Sequence, residues 1–312
     1  MKIFVPPFEE WKDRYRQNPY LRGQSVEVLQ DRFRYLFENI MSLRCDGKAV
    51  FNWFGDKDHM YLLQAFVDTY EELKTRGWKS SDLPQDFLSS MEAGIPKPTY
   101  PNPAPGVLPY SKRRVQAPGR LFKYGQEKYL GQLVSHGILR ICHASKYNDP
   151  SLNSAIKDNE LEFTLLPKPG DVKVETLEGE PIDMQVIGFT IRHPVDYYVS
   201  CFSRRFAPRL FGDFGADCCV VIYDPKAFLE ELCTRLAEKI PMREIRGYRV
   251  HYLDPHNPQG KGMPIIPFTK HIRFTYQAEF RIAAHPWETS PTLEEIDLEL
   301  RLPTDCLELI RR

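Results

Sequence analysis

Seven prolines between Ile95 and Arg120 (IPKPTYPNPAPGVLPYSKRRVQAPGR) constrain what this chain can fold into more than any other feature. Proline fixes φ and removes a backbone donor, so neither a helix nor a central strand runs through such a stretch. The chain is cut into a part before it and a part after it, joined by an extended connector. Its 312 residues leave room for two domains of ~100–200 residues and for a sizeable core. The boundaries that follow are 1–94, 95–118 and 119–312.

The two sides differ in hydrophobic period. Before the connector, Val26–Leu43 places Val26, Leu29, Phe33, Leu36, Ile40 and Leu43 at helical spacing. Met60–Leu73 repeats the pattern, with Gly77 as its stop, and a shorter helix is expected over Asp82–Met91. After the connector, strands are expected at Leu121–Tyr124, Ile138–Ala144, Tyr197–Phe202, Cys218–Tyr223, Tyr248–Tyr252, Ile272–Ala283 and Ile296–Leu302. Helices are expected at Glu127–Ser135, closed by Gly137, and at Pro225–Lys239, opened by proline in its first turn. Early helices followed by strands at hairpin-length gaps predict an α+β fold with a mostly antiparallel sheet.

Charge is balanced overall, 42 basic against 42 acidic residues, but not locally. Ala93–Gln126 contains no acid, while Lys97, Lys112, Arg113, Arg114, Arg120 and Lys123 are basic. Such a stretch is a solvated linker by default and an anion-attracting edge by function. The hydrophobic share of 42% argues against disorder. No apolar run reaches the ~18–20 residues of a membrane span, and the N-terminus breaks into Pro-Pro and charge, so a cytoplasmic protein without membrane partners is expected. The seven cysteines form no C-x-x-C and read as reduced, buried thiols. No HExxH, no His/Cys zinc spacing and no Gly-rich phosphate loop occurs.

Four segments can carry chemistry: Leu121-Phe122-Lys123-Tyr124, Tyr147-Asn148-Asp149-Pro150, Cys201-Phe202-Ser203, and Phe274–Ile282. Strict alternation over the last would put Thr275, Gln277, Glu279 and Arg281 on one face, with Phe274, Tyr276, Ala278, Phe280 and Ile282 on the other. Arg281, next on that row, would hold Glu279 ionised. The commoner alternative is a solvated sheet face. Tyr147–Pro150 reads first as a turn and second as a ligand-facing role for Asn148. His143 and His271 read as structural. Arg204, Arg205 and Arg209 form a second basic cluster, solvated by default and phosphate-contacting by function.

These motifs, LFKY…YNDP…CFS…YQAEFRI, resemble a widespread bacterial family catalogued as a domain of unknown function, whose members read LYKY, FNDP, a serine-bearing strand and E-x-E-x-R. Their order also resembles the ADP-ribosyltransferase superfamily over Gly119–Ala284. That likeness implies a split-sheet fold, NAD as substrate, and transfer of ADP-ribose to a protein or nucleic-acid acceptor. It implies Glu279 as the carboxylate that bonds the nicotinamide-ribose 2′-hydroxyl and stabilises an oxocarbenium-like transition state. Ser203 would fix Glu279 or the ribose, and Gln277 would orient the acceptor. Lys123, Tyr124, Asn148 and Arg281 would contact the cofactor. The chain departs from the superfamily in three places. Lys123 or Tyr124 stands where Arg or His is usual, Cys-Phe-Ser stands for Ser-Thr-Ser, and Gln277 opens the final pair, as in enzymes that modify acceptors other than arginine. The rival expectation is a module that binds a nucleotide or nucleic acid on the same fold without chemistry.

Overall fold

The computed structural model describes residues 7–43, 49–51, 57–79, 118–152, 155–168, 172–182, 187–258, 264–287 and 293–312. The expected helix at Asp82–Met91 and nearly all of the proline-rich connector lie outside these residues.

The N-terminal part holds α1 (Phe8–Gln17), α2 (Val26–Ile40), a hairpin of β1 (Met41–Leu43) and β2 (Ala49–Phe51), and α3 (Lys57–Thr75). The hydrophobic spacing marks α2 and α3; α2 stops at Ile40, where Met41–Leu43 turns into strand. Ser25 caps α2 by accepting from the Val28 amide at 3.3 Å. Two apolar clusters hold the helices: Leu21, Leu29, Phe33 and Leu73 in one, Trp11, Leu36, Ile40 and Tyr61 in the other. Ile272 from the C-terminal part, fully enclosed, completes the second.

The C-terminal part runs β3 (Leu121–Gly125), α4 (Glu127–His136), β4 (Ile138–His143), β5 (Glu162–Leu165), β6 (Phe189–Arg192), β7 (Tyr198–Ser203), α5 (Arg209–Asp213), β8 (Cys218–Ile222), α6 (Pro225–Lys239), β9 (Met242–Arg249), β10 (His251–Leu253), β11 (Thr269–His271), β12 (Glu279–Pro286), β13 (Ile296–Glu299) and β14 (Leu307–Arg311). Eight of these strands form one antiparallel sheet. The architecture is α+β, as the pattern predicts. Asp224 caps α6 through the Ala227 amide at 3.1 Å. Gly137 ends α4 at φ 74°, where a Cβ would lie 2.2 Å from the Leu300 carbonyl oxygen, so glycine is required there.

The sheet forks at β7. Along one edge β7 pairs with β12 over its whole length, from Tyr198↔Ala284 to Ser203↔Glu279. Its other edge is shared: Ser203 faces Phe122 of β3, while Val199 and Tyr198 face Cys142 and His143 of β4. Between these two contacts Ser200–Phe202 has no strand partner on that side among the described residues. One face of the sheet packs Phe202, Val220, Ile222 and Ile282 against Leu130 and Leu133 of α4 and Phe228 and Leu232 of α6. The other face packs Phe122 and Val221 against Phe211 of α5, and beyond β7 it packs Val199 and Ala283 against Phe268.

Two expected strands are corrected. Tyr248–Tyr252 is the end of β9 and the start of β10, separated at Val250, whose amide bonds the Glu279 carbonyl. Ile272–Ala283 is not one strand. Ile272–Gln277 is a 3₁₀ turn, Ala278 takes the left-handed conformation (φ 46°, ψ 49°), and the strand begins at Glu279. The tertiary setting overrides the alternating pattern here: His271 caps the turn by accepting from the Arg273 amide, and Ile272 is buried in the helical cluster. The six described cysteines are free thiols, Cys142, Cys201, Cys218, Cys219, Cys233 and Cys306. Among the described residues no helix is long and apolar enough to cross a membrane.

Candidate functional site

The kink at Ala278 does what alternation was expected to do. It turns Gln277 and Glu279 toward one amine: Lys270 Nζ donates to Gln277 Oε1 at 3.1 Å and to Glu279 Oε1 at 2.9 Å. Ala278 is the one non-glycine residue with positive φ among the described residues, a conformation that costs an L-residue ~1–2 kcal/mol. The amide of Ala278 donates to Thr275 O and its carbonyl accepts from the Arg204 amide, which fixes the kink on both sides.

Arg281 completes the network from the next inward position of β12. Its Nε donates to Glu279 Oε2 at 2.7 Å, and Nη1 and Nη2 form a two-pronged pair with Glu160. Nη1 also donates to Pro267 O. Lys270 lies 3.6 Å from Glu160 and 3.8 Å from Asp158. All four central groups are enclosed: Arg281 is 0% exposed, Lys270 and Glu160 4%, and Glu279 5%. Burial alone would raise the Glu279 carboxyl, but Arg281 and Lys270 outweigh it and hold it at about 2. For Glu160 burial prevails over the same two cations, and its carboxyl sits above the usual range.

The remaining site candidates fall in three places. Ser203 lies opposite Glu279 in the sheet, but its hydroxyl is shared between the carbonyls of Gln277 (2.8 Å) and Arg205 (2.9 Å). It ties two motifs together through backbone rather than touching the carboxylate. Tyr124 leaves β3 on the Glu279 face, where its ring meets Phe211 edge-on at 5.1 Å and its oxygen accepts from the Ala207 amide. Lys123, one residue earlier, leaves by the other face. Its amine reaches Cys201 O at 3.2 Å and Ser200 Oγ at 3.4 Å, within 4.9 Å of the centre of the Phe202 ring. This places Lys123 in the fork between β3 and β4. It has no ion-pair partner among the described residues, and burial pushes its amine below the usual lysine range. Asn148 is exposed at the end of the 3₁₀ turn Ala144–Asn148, and Asp149 closes the following turn by accepting from the Ser151 amide at 2.8 Å.

Two sequence expectations change their meaning. The cluster Arg204, Arg205 and Arg209 is not one solvated loop: Arg209 is 7% exposed, pairs with Asp213 at 2.6 Å, donates to Glu38 O, and covers the Tyr276 ring at 3.8 Å. Arg281 is filled on every side by Glu160, Glu279 and Pro267 and faces no open space. Glu160 and Lys270 were not singled out in the sequence. Glu160 belongs to the variable stretch before β5 and Lys270 to a three-residue strand, and neither position has a periodic signal. No group of His, Cys, Asp and Glu among the described residues is arranged to hold a metal ion. Comparison with protein-family models, with curated proteins and with solved structures returns no match.

Proposed function

We propose that the chain is a nucleotide-binding module built on a forked antiparallel sheet, and that it binds without transfer chemistry. One contrast carries this. Both oxygens of Glu279 are taken by Lys270 and Arg281, whereas Lys123 sits in the fork with a hydroxyl, a carbonyl and an aromatic ring but no carboxylate. A half-buried cation without a counter-ion favours an anionic ligand, because the ligand supplies the charge the protein lacks. The test is calorimetric titration of the full chain with ADP and NAD, wild type against Lys123→Met. Binding by the wild type that falls at least tenfold in the variant supports the module; equal affinities, or no binding of either ligand, defeat it.

A second function is supported by a separate observation. The strands β3, β7 and β12 are neighbours, and Ser203 and Glu279 are registered partners on the face that carries Phe122 and Tyr124, opposite Lys123. That order suits an ADP-ribosyltransferase-like enzyme acting on NAD, with Glu279 as its carboxylate and a protein or nucleic acid as acceptor. Its ionised state is what an oxocarbenium-like transition state requires. A ribose hydroxyl would reach Glu279 in exchange for its bond to Lys270. Nicotinamide release from NAD by the wild type and its loss in Glu279→Gln would establish the enzyme over the module; release that persists in Glu279→Gln removes Glu279 from the reaction.

A further inference from the structure

We propose that the free edge of β9 is a binding strip for single-stranded nucleic acid, a surface separate from the fork that holds Lys123. Among the described residues β9 pairs on one side only, with β12. Its sequence, MREIRGYR, carries Arg243, Arg246 and Arg249 with a single acid, Glu244; Arg246 and Tyr248 leave by the Arg281 face and Arg249 by the Phe280 face, so the arginines flank the open edge from both sides. Arg246 pairs with Glu244 at 2.6 Å; Arg243 and Arg249 have no ion pair among the described residues. The whole run Arg246–Arg249 is exposed, and at Gly247 the Ile282 and Phe280 side chains of β12 cover one face, which leaves the edge and the Tyr248 face open.

Two large aromatic side chains mark the ends of the strip. Tyr248 is 49% exposed, and Trp287, which follows β12 and bonds back to Pro241 beside the start of β9, is 66% exposed. At ~3.3 Å per residue the two are about 23 Å apart along the strand. Arginines at intervals with stacking rings between or beyond them match the two parts of a single strand, its phosphates and its unpaired bases. A duplex hides its base faces from such rings. An acidic polypeptide would use the arginines but leave Trp287 and Tyr248 in water. Charged residues also guard sheet edges against pairing, but guarding an edge gives no reason for an exposed Trp, and Tyr248, which rests on His251 and Phe268, keeps half its surface open. The backbone fits the same use. A Cβ at position 247 would lie 2.7 Å from Ile282 Cδ1, so the middle of the strip carries no side chain. The strip ends beside the network at Glu279, since the Val250 amide bonds the Glu279 carbonyl at 3.0 Å.

The test is fluorescence anisotropy of labelled fifteen-residue oligouridylate and oligothymidylate with the full chain, without NAD. The variants are Arg243→Glu/Arg246→Glu/Arg249→Glu and Tyr248→Ala/Trp287→Ala, each checked for a wild-type circular dichroism spectrum. The charge variant is expected to bind at least about tenfold more weakly and to lower the slope of log K against log salt by about 2, at ~0.7 per phosphate contact. The aromatic variant is expected to lose about fivefold or more at an unchanged slope. If the charge variant does not fold, the aromatic variant decides. Absence of binding at low salt, retention of wild-type affinity by the folded variants, or displacement by polyglutamate as effectively as by unlabelled oligonucleotide would overturn the assignment. Because NAD is absent, a negative result here leaves the titration of Lys123 untouched, and the reverse holds as well.

Discussion

Arg32 of α2 and Asp254, just past β10, form a two-pronged ion pair with both side chains out of water, 1% and 0% exposed; Nη1 donates to Oδ1 at 2.7 Å and Nη2 to Oδ2. Burial opposes the charge on each, yet each holds the other ionised: Arg32 is raised and Asp254 lowered. Tyr61 of α3 extends the contact, accepting from the Asp254 amide at 3.1 Å and donating to Asn257 O. The helices and the sheet therefore share buried charge, not only apolar surface. Arg32→Met alone should cost about 3–5 kcal/mol, because it leaves a buried carboxylate unpaired. Arg32→Met/Asp254→Leu should recover most of that loss. Urea unfolding of the two variants checks this, and a double variant less stable than the single one contradicts it.

Asn39 of α2 clamps the 3₁₀ turn that leads into Glu279. Its amide donates to Arg273 O at 2.7 Å and its oxygen accepts from the Tyr276 amide at 3.1 Å. Asn39→Ala should cost about 1–2 kcal/mol, since the partly buried Tyr276 amide and Arg273 carbonyl lose their partner. Hydrogen exchange locates the damage. Protection should fall most at Tyr276–Glu279, more than in the β7–β12 ladder; an even loss across the sheet would show that Asn39 serves only general stability.

Ala278 stores backbone strain beside the ionic network. Ala278→Gly relieves the left-handed penalty but makes the unfolded chain freer, so the two effects partly offset. Stability should stay level or rise by up to about 1 kcal/mol, while Ala283→Gly, at an enclosed position in the regular part of β12, should fall by about 1 kcal/mol. Equal losses in thermal unfolding would place no strain at Ala278.

The parts of this fold that the sequence discloses are those fixed by local chemistry. The helical spacing of Leu29, Phe33, Leu36 and Ile40 marks α2, Asp224-Pro225 opens α6, and Gly137 closes α4. The site is legible only in its nearest pair, Glu279 and Arg281, two residues apart on one strand face. Glu160 is 121 positions from Arg281, and nothing near it in the chain announces that a guanidinium awaits it. Residues 272–277 carry a strand's alternation yet form a turn, because Asn39, Arg209 and the helical cluster hold them from a distance. The same holds for Arg209, whose partners Asp213, Glu38 and Tyr276 turn a basic cluster into a structural post.

Asp68 of α3 gives the helical part a pH dependence of unusual sign for a carboxylate. It is 2% exposed; Oδ2 accepts from the Tyr20 hydroxyl at 3.2 Å, and Oδ1 has no hydrogen-bond partner among the described residues. Burial pushes its carboxyl up to about 7 against the pull of Arg14, Tyr20 and Arg32. In the unfolded chain it titrates near 3.8. Between these values the folded protein holds a proton that the unfolded chain has released. Stability contributed by Asp68 is therefore complete below about pH 4, falls by about 1.4 kcal/mol per unit as pH rises, and is gone above about pH 7. Asp68→Asn removes the ionisation but keeps an oxygen for Tyr20. It should match the wild type near pH 4 and exceed it in urea unfolding at pH 8 by an amount on the order of 3 kcal/mol. A variant that is less stable than the wild type at pH 8 would mean that Asp68 is ionised and paired in the folded protein.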